Sequence, residues 1–378
     1  MEMILIASGA FIFGIIIGSF LNVVRHRVPR DESIVYPGSH CASCGHSLRA
    51  FDNIPLISYA ILGGKCRDCR AAISPTYPLV EFLTGAVFVL IVLKGGLGWE
   101  SLLEMIFASV MLSLVFIDAR HHLIPNVITY PAIVFSLAAI TLRGGWGRPE
   151  LSSFGISIIF QSLDHEFPAL RAALIGFAFI ALAAPLFRFI DNLDLILFNK
   201  YFEWEEMEQE QGIDPNGEIN IDIDSERSQN RVIYSSMIAG LVLAALWAFA
   251  VIKYSPADGG PFDDGYNSLL GGAAGAIIGG GLIWTLRALY FYIRGFEGMG
   301  LGDVKMMAVI GAFLGWQSMF GVMLLGSILG TAIGVALALR ARKGLRTPLP
   351  FGACLGLAAI IIMFTSKPMI TWYLNSGR

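Results

Sequence analysis

Long apolar runs broken by short polar turns dominate this chain. Nearly uncharged stretches of membrane length predict ten crossings, at roughly 4–24, 79–93, 101–118, 127–142, 171–190, 233–253, 268–292, 304–318, 319–340 and 351–373. The crossings at 304–318 and 319–340 share only 37 residues, so both are short or one is re-entrant. Ile4 to Val24 has no small-residue cleavage site after it and leads straight into Arg25, which predicts a retained helix rather than a signal peptide. Phe154–Leu163 is apolar but short, and Asp164, His165 and Glu166 follow it at once. It reads as interfacial; as a crossing it would invert everything after it. Gly14 and Gly18, and again Gly271, Gly275 and Gly279, recur every four residues, a spacing that lets helix backbones approach closely.

Composition agrees with this pattern. Hydrophobic residues make up 55% of the 378 and charged ones 15%, a balance no soluble core explains. The net charge of −3 hides an uneven distribution: Asp191 to Arg231 holds twelve acids against three Lys/Arg, a net of −9, leaving +6 elsewhere. That segment is too polar to span and reads as a cytoplasmic excursion, helical around Glu203–Gln211, with a solvated or regulatory face. Asp214-Pro215-Asn216-Gly217-Glu218-Ile219 resembles a calcium loop only locally, because Gly212 and Ile223 fall where acids are needed. Lys and Arg in short loops set the orientation. Arg25, Arg27, Arg30, Arg49, Lys65, Arg67 and Arg70 put the first loop in the cytoplasm, and Arg340, Arg342, Lys343 and Arg346 put the loop before the last crossing there too.

Two CxxC knuckles, Cys41-Ala-Ser-Cys44 and Cys66-Arg-Asp-Cys69, stand in that first loop. At this separation they can deliver four thiolates tetrahedrally to zinc, in a structural site with no open position. A redox dithiol pair is the competing reading. Cys354, alone in the last apolar run, is expected to be a packed core residue. The fold expected is therefore an all-α polytopic membrane protein of about 8–10 transmembrane helices with a small cytoplasmic zinc-ribbon-like loop domain. Its parts are a first transmembrane helix at 1–24, a cysteine loop domain at 25–77, and a helical membrane domain at 78–378 carrying the acidic insert at 191–231.

Asp118 closes Leu114-Val115-Phe116-Ile117-Asp118, and Asp303 closes Gly300-Leu301-Gly302-Asp303. Ionisable residues near hydrocarbon are costly and point to function. By crossing parity both lie at the cytoplasmic face. For Asp118 a plainer account exists: a carboxylate paired with Arg120, or one capping the turn before Pro125. Asp303 is more specific, because Gly300 and Gly302 permit positive φ and close approach by an extended peptide. Two close aspartates hold one proton between them and can activate water against a peptide carbonyl.

These residues carry a resemblance to the prepilin peptidases, membrane aspartic proteases with a GxGD motif. It rests on Gly18-Ser19-Phe20-Leu21-Asn22-Val23-Val24, the paired knuckles flanking Asp52-Asn53-Ile54-Pro55-Leu56, and Tyr77-Pro78-Leu79-Val80-Glu81. Ile117-Asp118 with Ile124-Pro125-Asn126, and Gly298-Met299-Gly300-Leu301-Gly302-Asp303-Val304-Lys305, complete it. The resemblance implies removal of the basic leader of type IV prepilins or pseudopilins after a glycine, at the cytoplasmic face of the bacterial inner membrane. It also implies N-methylation of the new terminus with S-adenosylmethionine, since members with the cysteine loop are bifunctional. Asp118 and Asp303 match the family aspartates; no methyltransferase residue is placed, though the first loop is the expected region. The implied partners are prepilins and the lipid bilayer, with no nucleic acid. The acidic insert, the long 143–170 loop and Ser74-Pro75-Thr76 before Tyr77 depart from the family pattern.

Two rival readings remain. A proton-coupled transporter would use the aspartates as relay groups, and expects them near the bilayer midplane within pseudo-symmetric halves. A zinc-stabilised assembly protein without catalysis would leave the glycine-flanked Asp303 unexplained.

Overall fold

The computed structural model describes residues 2–146, 261–294, 299–341 and 349–376. The expected crossings at 171–190 and 233–253, the apolar stretch 154–163, the acidic insert 191–231, Gly298 and the basic residues 342–346 lie outside the described residues. Among the described residues the architecture is helical, with only two isolated β-bridges, His40 to Ser47 and Lys65 to Ala72. In chain order the helices are α1 (Glu2–Arg27), α2 (Ile57–Ile61), α3 (Thr76–Gly95), α4 (Trp99–His121), α5 (Asn126–Trp146), α6 (Pro261–Arg294), α7 (Leu301–Leu314), α8 (Trp316–Ala341) and α9 (Phe351–Ser376). Five of them contain stretches long and apolar enough to cross a membrane, within α1, α3, α4, α6 and α8. Apolar stretches in α5 (Asn126–Ile140) and α9 (Phe351–Thr365) are shorter.

The chain forms two compact units, Met1–Ile128 with Gly275–Arg378, and Thr129–Ala274. Described parts of the second unit are the α5 turns beyond Thr129 and the opening of α6; there Tyr130, Ile133 and Leu137 are buried on one helical face.

The first unit carries every residue singled out for chemistry. Its core is built from Phe88, Phe107, Met111, Leu114, Ile117, Met306 and Phe313. Phe107 of α4 stacks on Phe313 of α7 with ring centroids 4.1 Å apart. Outward-facing Ile16, Phe20, Leu79 and Phe82 stay exposed, as expected of a surface solvated by lipid.

Glycine spacing does what the pattern predicts. A Cβ at Gly14 would sit 2.7 Å from Gly85 Cα, and one at Gly18 would sit 2.6 Å from Glu81 Cα, so α1 and α3 touch backbone to backbone. Gly275 of α6 meets Gly311 of α7 in the same manner. The crossing expected at 304–318 is instead α7, which begins at Leu301 and stops at Leu314, where Gly315 takes φ 82°. Fourteen residues span about 21 Å, short of the ~30 Å hydrocarbon core. The shortness anticipated for this pair of crossings therefore falls on α7, and Asp303 lies within its first turn rather than before it.

At the end of α3 and the start of α4, Lys94 pairs with Glu104 at 3.2 Å and donates to Met363 O of α9 at 2.8 Å. This polar clamp ties three helices together. It lies fourteen residues, or about 21 Å, along α4 from Asp118.

Candidate active site

Asp118 lies in the last turn of α4, which ends where His122 adopts a left-handed conformation (φ 51°) and donates to Asp118 O. Asp303 lies in the first turn of α7, where a carboxylate complements the positive end of the helix dipole. Both are buried, Asp118 to 5% exposure and Asp303 to 8%. Arg120 is exposed two residues away, so the ion-pair account of Asp118 gives way to a different partner. Asp118 Oδ2 accepts the Ala353 N–H at 2.7 Å, from the N-terminus of α9. That helix start carries unshared backbone N–H groups and suits an anion.

Gly352 is where the two carboxylates converge. A Cβ there would lie 3.0 Å from Asp303 Oδ1, 3.1 Å from Asp118 Oδ2 and 2.6 Å from Ile124 Cδ1. The two oxygens are therefore within the sum of the first two distances, about 6 Å, of each other. Sequence reasoning missed Gly352 and Ala353. The available signal was Pro350 just before an apolar run, which marks a helix N-terminus.

The glycines flanking Asp303 act differently from expectation. Gly300 is the N-cap at φ −76°, ψ 151°, and neither it nor Gly302 uses positive φ. A side chain on Gly302 would collide with Ile124, its Cβ 2.8 Å from the Ile124 Cβ, so this glycine seats α7 against the chain after α4. Among the described residues, Gly300 has only Gly302 N and Asp303 Oδ2 within 4 Å of its would-be Cβ, so none of them crowds that side of Asp303. Lys305, buried two residues on, donates to Asn126 Oδ1 at 2.8 Å and holds together the segments that follow the two aspartates. Both aspartates stand at helix ends, not at the midplane a relay carboxylate would occupy.

The cysteine quartet is assembled by two matching knuckles. In the first, Cys41 N donates to His46 O and Gly45 N to Cys41 O; in the second, Cys66 N donates to Ala71 O and Arg70 N to Cys66 O. Gly45 (φ 70°) and Arg70 (φ 58°) occupy the same left-handed position. All four sulfurs lie within 4.8 Å of one another, and Cys41 Sγ is 3.8 Å from Cys69 Sγ. A zinc–sulfur bond of about 2.3 Å makes a tetrahedron with edges of about 3.8 Å, whereas a disulfide needs about 2.05 Å. The donor set fits zinc. N–H groups of Cys44 and Ser43 hold the Cys41 thiol down at about 6. Ala71 N–H favours the Cys69 thiolate as well, yet desolvation, and after it hydrogen bonding with the sulfurs of Cys66, Cys44 and Cys41, pushes that thiol up to about 12. Four thiolates need a cation between them.

The knuckles are fastened to the helices. Arg27 donates to the carbonyls of Ser33, Pro37 and Gly38, and Arg25 reaches Thr76 Oγ1 at 3.3 Å and lies over the Tyr77 ring. Asp52 pairs with Arg67 at 2.7 Å beneath the Phe51 ring. Glu81 Oε2 accepts the Leu56 N–H at 2.9 Å.

Residues 12–95 match the model of the bacterial peptidase A24 N-terminal domain, and residues 219–335 match that of the type IV leader peptidase family. The chain belongs to the type IV leader peptidase family. Its second match contains Asp303, Gly300 and Gly302; Asp118 falls between the two matches, so geometry is what joins it to the site. A prepilin leader peptidase/N-methyltransferase of Aeromonas salmonicida is 26% identical over 394 residues, covering 98% of this chain and 94% of the relative. The protein of that name from Pseudomonas aeruginosa is 26% identical over 96% of the chain and 92% of its own length. The Myxococcus xanthus protein of the same name reaches 42% identity over 134 residues, 35% of this leader peptidase family chain and 40% of the relative. No solved structure matches the chain.

Proposed function

We propose that this chain is a membrane aspartic endopeptidase that removes the basic leader of type IV prepilins or pseudopilins after a glycine, with Asp118 and Asp303 as its catalytic pair. The observation that carries the proposal is the convergence of both carboxylates on Gly352. Two carboxylates brought this close hold one proton between them. The ionised member takes a proton from water as the water attacks the peptide carbonyl; the protonated member donates to the carbonyl oxygen and later to the leaving amine. Because the pair titrates as a unit, neither residue is given a fixed acid or base role.

The surroundings suit this chemistry. Ala353 N–H occupies one oxygen of Asp118 and orients the carboxylate. Among the described residues, nothing beside Gly300 bars an extended peptide from that side of Asp303. Lys and Arg bias in the short loops supports a site on the cytoplasmic face, and the membrane in this reading is the bacterial inner membrane. Cys41, Cys44, Cys66 and Cys69 would hold a structural zinc that braces the knuckles, with no open position for chemistry. N-methylation of the new terminus with S-adenosylmethionine is the second activity, supported by the relatives' shared name. No side-chain arrangement among the described residues marks a place for that donor, so no residue is assigned to it.

The test is cleavage of a prepilin by purified protein carrying Asp118→Asn or Asp303→Asn. Each substitution should abolish cleavage, and methyl transfer to a pre-cleaved pilin should survive both. Near-normal cleavage by either variant rules out the pair.

A further inference from the structure

The chain between the two knuckles turns an apolar face outward. Ile57 and Ile61 share one face of α2 and are 54% and 75% exposed, with Ala60 beside them and exposed Ile54 just before the helix. The opposite face turns inward, where the Tyr59 hydroxyl donates to Ile73 O at 3.3 Å. Such a face is unsuited to water, and its depth along the helices shows what meets it.

Arg25, bonded to Thr76 and stacked on Tyr77, stands where α1 ends and α3 begins, which is taken as the membrane boundary for these two helices. Leu56, just before α2, donates its N–H to Glu81, five residues or about 7.5 Å further into α3. Glu81 lies against Gly18, between the exposed Ile16 and Phe20 on α1, and Leu79 and Phe82 are exposed around it on α3. The loop is therefore drawn in toward the first lipid-facing turns of α3. It does so through a strained γ-turn: Leu56 has φ 60° and ψ −47°, and Ile57 N donates to Pro55 O at 2.6 Å. An amide at that depth needs a protein acceptor, and Glu81 is that acceptor.

We infer that Ile54–Ile61 is an interfacial segment seated in the acyl region of the leaflet on the knuckle side, with its isoleucine stripe against lipid. Glu81 Cα stands about 7.5 Å inward of the start of α3 and its side chain reaches back toward that start, so an amide bonded to it lies in the shallow zone that interfacial helices occupy. Headgroup charge is not what chiefly holds it. Residues 25–77 carry seven Lys/Arg and four Asp/Glu, a net of +3, but Arg25 and Arg27 are buried and bonded to protein groups, so the apolar face supplies most of the attraction.

Photo-crosslinking tests this in the full chain in proteoliposomes. Ile61, Phe20 or Val35 is replaced by p-benzoylphenylalanine, and adducts are read by mass spectrometry. Phe20 on α1 reports lipid; Val35, 83% exposed in the loop after α1, reports the module's other surface. Lipid adducts at Ile61 should match those at Phe20 within about twofold and exceed those at Val35 at least about fivefold. A Val35-like yield at Ile61 overturns the inference. So does a prepilin adduct at Ile61 that replaces the lipid adduct when prepilin is added, since the stripe would then be a substrate dock. Persistence of the lipid adduct with prepilin present supports it. None of these readouts depends on peptidase activity.

Discussion

Gly352→Ala separates catalysis from folding at this site. The added methyl would lie 3.0 Å from Asp303 Oδ1 and 3.1 Å from Asp118 Oδ2, where ordinary carbon contacts begin near 3.4 Å. Each carboxylate must retreat by a few tenths of an ångström, and the methyl fills the place where water and a peptide carbonyl would meet the pair. The water and carbonyl that the methyl displaces must shift by about 1 Å or more, and a misplacement of that size costs on the order of 100-fold in rate, or about 2.7 kcal/mol in the barrier. Folding should change little. The closest contact, at 2.6 Å, is Ile124 Cδ1, the far end of a flexible side chain. Alanine also favours a helix over glycine by up to about 1 kcal/mol. The assay is kcat/KM for prepilin cleavage in liposomes beside a thermal melt of the same preparation. A fall of about 100-fold or more with an unchanged melt is expected. Cleavage within about threefold of the parent, in a folded variant, would show that the working carboxylates do not meet at Gly352.

Three further outcomes follow from the module and the clamp. Purified protein should carry one zinc per chain, and Cys66→Ser, at the buried ligand position, should lose it and destabilise the knuckles; metal-free native protein with all thiols reduced would count against the site. Arg70→Gly should stabilise the second knuckle by about 1 kcal/mol by relieving its left-handed conformation, with Gly45→Ala doing the reverse, read as zinc-release rates. Lys94→Met leaves Glu104 without its lysine and should cost about 3 kcal/mol, the lower end for a buried pair because Lys94 is part-exposed; the double variant with Glu104→Met should recover most of it, and a double-mutant cycle of melts would show additivity if the clamp is idle.

Much of the candidate site is legible one residue at a time. Asp118 and Asp303 stand out because a charge at the edge of an apolar run is costly wherever the run packs. The knuckles are legible because CxxC is a local geometry, and Gly14, Gly18 and Gly275 because helical period sets which residues share a face. Other features have no local signature. Ile124 gains its role only by touching Gly302 and Gly352, and Glu81 by accepting an amide from a loop 25 residues earlier. Gly300 and Gly302 show the limit from the other side: their freedom of φ was legible, but their use is spatial.

The sequence by itself determined that this is a helical membrane chain, which residues carry unaffordable charge, and which cysteines can share an ion. Each follows from transfer energies and from neighbours within a turn or two. Only the tertiary structure decided that Asp118 accepts a hydrogen bond from Ala353, 235 residues away, and that both carboxylates converge on Gly352. Contacts at that separation come from how helices close on one another. Periodicity says which face a helix buries, but not which turn of which partner meets it.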